Sequence, residues 1–224
     1  MVTTEIDYEK LFQLFVGDDE LRPEMMKPYQ QAGKYFATDA TAMVFIPTNK
    51  VSLRFGEQDK PQSDKVIPRE KTMSVVISIS EIESKLTPEM IDEEIDKIKK
   101  SDCAECDGDG QVEYEYSGNK RTYTIKEDCP ECGGAGELEI EYTEKTGKKI
   151  PNPCKQFFMH DVGYMYYQLE RLIKAAKIVG ADTITKTFGT RTNASVFDLG
   201  NDITVLIMPT MIDEYIEKEI PVII

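Results

Sequence analysis

Tryptophan is absent from the 224 residues, and histidine occurs once, at position 160. A single imidazole leaves no Ser-His-Asp or Cys-His arrangement with a second base, and Cys154 stands too close to it in sequence to be a convincing partner. His160 therefore reads as a structural or surface residue just ahead of a helix, with Asp161 as the N-cap. No apolar run approaches the roughly 18 to 20 residues of a spanning helix, which excludes a helical membrane protein. Met1 to Asp7 holds neither a basic nor an apolar leader segment, so a cytoplasmic location is expected. Positive charge is scarce as well: 27 basic against 41 acidic residues give a net charge of −14. That balance argues against indiscriminate coating of nucleic acid, though a local basic face remains compatible with it. Acidic pairs such as Glu93-Glu94 and Asp18-Asp19 read as charge complement, and Gly133-Gly134-Ala-Gly136 lacks the Lys-Ser/Thr ending of a phosphate loop. The sequence thus offers no catalytic constellation, and a non-enzyme is expected.

Cysteine is also sparse, five in all, but four of them are concentrated in one stretch. Cys103-Ala-Glu-Cys106-Asp-Gly108-Asp-Gly110 and Cys129-Pro-Glu-Cys132-Gly-Gly134-Ala-Gly136 repeat the octet Cys-x-x-Cys-x-Gly-x-Gly, with 22 residues between the inner cysteines. Four thiolates so spaced can close a tetrahedral shell, the usual structural zinc site, and the glycines permit the tight backbone turns behind each ligand pair. Two disulfides, a redox dithiol and four unrelated thiols are the alternatives; disulfides would need an oxidising compartment. The expectation is one structural zinc on Cys103, Cys106, Cys129 and Cys132, with Cys154 a bystander. Between the octets, Gln111–Tyr116 and Arg121–Lys126 alternate around Ser117-Gly118-Asn119 as a hairpin does. Tyr114, Tyr116, Tyr123 and Tyr142 would stud this small element. A contact surface for a partner peptide, a stacking surface for bases, and packing against the rest of the chain all remain open for them.

Elsewhere the pattern is mixed. Apolar positions 8, 11, 12 and 15 predict a helix over Ile6–Val16, and Leu21–Pro28 a loop or short turn. Lys34–Pro47 reads as strand, turn and strand about Asp39, Ser52–Arg69 as loop, and Lys71–Ser80 as a strand. Thr87 and Pro88 open a predicted helix through Ile91, Ile95 and Ile98 to Lys100, its acids first and lysines last. Thr143–Pro153 reads as an exit linker. Val162–Val179 is the longest helical pattern, ended by Gly180, and the runs 183–187, 194–199 and 203–208 are strand-like. The order predicts an α+β fold with an insertion. Its parts would be a first body segment at 1–100, an inserted zinc hairpin at 101–147, and a second body segment at 148–224.

The octet pair resembles the cysteine-rich zinc domain of the DnaJ co-chaperones, which normally carry four copies and two zincs. With two copies this chain would hold one ion, and it lacks the His-Pro-Asp tripeptide of the J-domain. A second resemblance is carried by Tyr35-Phe-Ala-Thr-Asp39-Ala-Thr-Ala-Met-Val44 and by Val196-Phe-Asp-Leu-Gly-Asn-Asp-Ile-Thr-Val-Leu-Ile-Met-Pro209. These are similar to the Ala-Thr-Asp-Gly-His turn and the closing strands of bacterial β sliding clamps, although Ala40 replaces the usual glycine and Thr41 the frequent histidine. The resemblance implies a clamp-like body of two helix-plus-antiparallel-strand halves, with the helix at 162–179 in the place of a DNA-facing helix. Arg171, Lys174 and Lys177 would then form a slanting band able to meet duplex DNA phosphates; on spacing alone they could equally be solvated positions. A clamp chain carries three such domains and this one has length for one, so a ring would take several subunits or would not form. Together the resemblances imply a non-enzymatic zinc scaffold, a sliding-clamp-like accessory protein of DNA replication or repair from a phage or mobile element. The alternative is a chaperone-like module that grips a protein partner through the zinc hairpin.

Overall fold

In the computed structural model, residues 6–68, 72 and 74–211 are described. Expectations for the ends of the chain, and those for residues 69–71 and 73 within the predicted loop and strand, fall outside them. The chain divides into two units, Met90–Pro151 and the remainder.

In the larger unit, the apolar stripe at 8, 11, 12 and 15 forms α1 (Tyr8–Gln13), capped by Asp7, whose carboxylate accepts from Lys10 N at 2.9 Å. A meander follows, β1 (Tyr29–Gln31), β2 (Lys34–Thr38) and β3 (Ala42–Pro47), then β4 (Val75–Ser78), which runs directly into α2 (Ile79–Lys85). The predicted strand over 71–80 is thus short, and its last residues, Ile79 and Ser80, begin a helix whose Ile79 and Ile82 are buried.

The smaller unit departs from expectation. Residues 87–100 are not a helix: β5 (Met90–Asp102) is a long strand. Next come β6 (Gln111–Ser117) and β7 (Thr122–Asp128), the expected hairpin, and β8 (Glu137–Pro151), which occupies the stretch read as a linker. The charges that mimicked a helix-dipole pattern pair across strands instead. Lys97 meets Glu144, Lys100 meets Glu137, and Asp92 takes both Lys145 and Lys149. A bulge on β8 opposite Glu93 shifts the register, and because β5 is largely exposed on both faces nothing imposes a period-two pattern on it, so its isoleucines stand at helix-like spacing.

Back in the larger unit, β9 (Gln156–Met159) and β10 (Val162–Met165) form a hairpin whose two turn residues, His160 and Asp161, both have positive φ. Asp161 is therefore a turn residue, not an N-cap. The predicted helix at 162–179 loses its first four residues to β10; α3 (Tyr166–Val179) starts after Met165 and ends at Gly180 in the left-handed conformation. Three further strands follow: β11 (Thr183–Phe188), β12 (Ser195–Asp198) and β13 (Thr204–Ile207).

One antiparallel sheet orders these strands β1-β2-β3-β13-β12-β11-β4. Ala42 to Ile46 are all buried because both faces are covered, which explains their uninterrupted apolar run. Val44, Val205 and Ile207 face the cluster containing Phe12, Phe15, Leu169, Leu172 and Ala176 from α1 and α3 with the residues beside them. Met43, Phe45 and Leu206 face a smaller cluster with Tyr29 and Phe36. No helix of the described residues is long and apolar enough to cross a membrane.

Candidate functional site

The four octet cysteines converge in the smaller unit. Their Sγ atoms all lie within 4.8 Å of one another. Cys103 is 3.8 Å from Cys129 and Cys106 is 3.8 Å from Cys132, so all four are free thiols. A regular tetrahedron with metal–sulfur bonds of about 2.3 Å has edges of about 3.8 Å, so the spacing fits a metal and is far too long for an S–S bond.

The two knuckles answer each other. Cys103 N donates to Gly136 O and Cys129 N to Gly110 O, each at 2.8 Å. Gly110 N donates to Cys106 Sγ and Gly136 N to Cys132 Sγ, each at 3.2 Å. Gly110 and Gly136 have positive φ, and a Cβ on either would collide with the backbone carbonyl of Gly134 or Gly108 in the opposite knuckle. Burial pushes the Cys106 thiol up to about 11. At Cys132 burial acts the same way but is outweighed by the Gly136 N–H and the neighbouring thiols, which bring it down to about 7. A closed set of four sulfurs suits zinc or iron and leaves no open position for substrate.

In the larger unit, the Ala-Thr-Asp turn is organised by Asp39. Its Oδ1 accepts from Thr41 N, Thr41 Oγ1 and Ala42 N at 2.8 to 2.9 Å, and its Oδ2 accepts from Arg171 at 2.6 Å. Burial opposes ionisation here, but the Ala42 N–H and the guanidinium overcome it and hold the carboxyl below its ordinary range. Arg171 is only 19% exposed and lies over the Phe15 and Tyr167 rings. Of the slanting basic band, Arg171 is thus committed to tying α3 to the β2–β3 turn. Lys174 and Lys177 are half-exposed and pair with Glu170 and Glu83. Together with Lys10, which the sequence reading missed, they line a hollow of about 430 Å³.

Sequence reasoning also missed an apolar cleft of about 250 Å³. Thr38, Ala40 and Met43 form one wall, Leu206 and Met208 a second, and Met25 and Val66 contribute from the loops. Four distant segments build it, so only the clamp-like spelling of two of them could have hinted at it. Cys154 is exposed and is not one of the four converging thiols.

No protein-family model matches the chain, nor does any curated protein. Among solved structures it is similar to the DNA polymerase sliding clamp of Pseudomonas aeruginosa with ligand, at 13% identity over 92% of this chain and 65% of that one, TM-score 0.43. It is also similar to the Helicobacter pylori β clamp bound to a DNA ligase peptide, at 9% identity over 92% and 63%, TM-score 0.47. A third is the Bartonella birtlesii clamp bound to griselimycin, at 10% identity over 95% and 68%, TM-score 0.45. The chain spans a little under two thirds of the length of the first two.

Proposed function

We propose that the protein is a non-enzymatic, clamp-like accessory factor of DNA replication or repair. Its larger unit docks an apolar peptide of a partner protein in the cleft, and its smaller unit is held by one zinc ion on Cys103, Cys106, Cys129 and Cys132. The carrying observation is that the two segments with clamp-like spelling, some 150 residues apart, are adjacent in the sheet and together wall the cleft. The sheet order gives further support. Each of α1 and α3 is followed by three strands that enter the sheet as β1-β2-β3 and β13-β12-β11, with β3 paired antiparallel to β13. That mirrored order is what two related helix-plus-strand halves would produce.

Duplex DNA would be met by Lys10, Lys174 and Lys177. Exposed ion pairs are worth little, so their acidic partners can yield to phosphates. Arg171 would act from behind, by fixing α3.

Methyl NMR on the methionines tests the cleft, because Met25, Met43 and Met208 line it. Short peptides with adjacent bulky apolar residues should shift these three signals together, and a Met208→Lys variant should abolish the effect. Fluorescence anisotropy of labelled duplex should show binding that weakens with salt and falls on charge reversal of Lys174 and Lys177. Absence of both responses would refute the proposal.

A further inference from the structure

The β6–β7 hairpin carries an apolar face that nothing covers among the described residues. Tyr114 stands directly opposite Ile125, and Tyr116 opposite Tyr123. Cross-strand partners and every second residue share a face, so these four side chains form one patch. They are 49%, 57%, 71% and 59% exposed, respectively. The hairpin is a two-stranded sheet, so both outer edges keep unpaired backbone groups beside the patch.

Three occupants come into question, and charge and area decide between them. Single-stranded nucleic acid could stack on tyrosines. Residues 90–151, however, hold 17 acidic against nine basic residues, and Glu127 stands on the same face, opposite Val112. Stacking without a cationic groove for the phosphates has little to hold it. A second copy would bring two acidic units together. Four partly exposed side chains also offer on the order of 500 Å², short of the roughly 800 Å² per partner of a stable interface.

We infer that this face binds an extended polypeptide segment that alternates apolar and basic residues. The segment adds as a strand to a free hairpin edge, its apolar side chains lie against Tyr114, Tyr116, Tyr123 and Ile125, and its cations meet the acidic surround. This site is independent of the cleft in the larger unit.

The chain's 11 tyrosines all contribute to its own emission, so binding is read instead from the anisotropy of a fluorescently labelled ligand. The zinc-loaded full chain would be titrated into a short peptide alternating leucine or valine with lysine, into its twin in which each lysine is glutamate, and into oligothymidylate. The expected result is saturable binding of the lysine peptide, at least about tenfold tighter than its twin. It should be lost in a Tyr116→Ser, Tyr123→Ser variant that retains full zinc content. Equal affinity for the twin, preference for oligothymidylate, concentration-dependent self-association quenched by the double substitution, or no peptide binding would each overturn the inference. None of these outcomes bears on the methionine signals of the cleft.

Discussion

Lys186 offers a quantitative test of how the larger unit is built. It lies on β11, wholly buried, with its Nζ lacking a hydrogen-bond partner among the described residues and placed 5.7 Å from the Tyr164 ring centroid. Burial pulls its pKa from 10.5 to about 8, against the opposing pull of Asp161. At about 1.4 kcal/mol per pH unit, that difference is on the order of 3 kcal/mol against the folded state at neutral pH. The ring face returns roughly 1 kcal/mol. Lys186→Met keeps an unbranched stem and removes the charge, so it should stabilise this unit by about 1 to 3 kcal/mol at pH 7. The sign follows from proton binding. Between about 8 and 10.5 the unfolded lysine holds a proton the folded one has released, so wild-type stability rises with pH through that window. Below it both forms are protonated and the deficit is complete. Urea unfolding followed by the methyl signals of buried Met43 and Met159 reports this unit alone. The gain from the substitution should be largest at pH 7 and shrink by about pH 9.5. The nearby His160 is depressed by burial and by Lys186 itself, so it titrates below this window, and Tyr164 is raised by burial to beyond it. A variant less stable at pH 7, or a gain unchanged at the higher pH, would refute the reasoning.

Cys106→Ser should abolish stoichiometric zinc binding, measured by metal analysis after gel filtration, because three thiolates leave the shell open. Gly110→Ala should weaken zinc retention against a chelator although no ligand is lost, since the added Cβ meets the Gly134 carbonyl at a positive-φ position. Asp39→Ala removes the acceptor for three turn donors and strands Arg171, so it should cost roughly 2 to 4 kcal/mol in urea unfolding of the larger unit. Because the Asp39 carboxyl is held below its ordinary range, that contribution is present at neutral pH and is lost as acid protonates it.

What was legible in the sequence was local. The octets announce themselves because ligands and turn glycines sit within eight residues, and β2, β3 and their Asp39 turn follow from a short apolar-polar-apolar pattern. The larger unit's closing strands were legible for the same reason. The strand β5 was not, because its partner lies some 50 residues away. Ile91, Ile95 and Ile98 fit a helix until Lys97 is seen beside Glu144 and Lys100 beside Glu137. Strand β10 was absorbed into the following helix because the His160-Asp161 turn requires two left-handed residues with no glycine to signal them. Of the basic band, spacing alone could not tell that Arg171 faces Asp39, a contact spanning 132 positions. The cleft needed four segments folded together before it existed at all.

The two units draw their stability from different sources, and this separates their proposed roles. The larger unit buries aromatic and aliphatic side chains on both faces of its sheet. Within Met90–Pro151 the buried cluster comprises three of the cysteines, with Val112, Leu138 and Cys132 against it. Its strands form two-stranded ribbons, and such ribbons are marginal in water without further cover. A structural zinc contributes on the order of 10 kcal/mol to folding in small metal domains, far more than so small a cluster can. Chelation should therefore unfold the smaller unit while the larger one persists. In methyl NMR the cleft signals of Met25, Met43 and Met208 should keep their positions and their response to apolar peptides, while that of Met90 collapses to its unfolded position. The lysine-rich peptide should at the same time lose its binding on the hairpin. If chelation instead erased both responses together, the folding of the two units would be coupled, and zinc would support the whole protein.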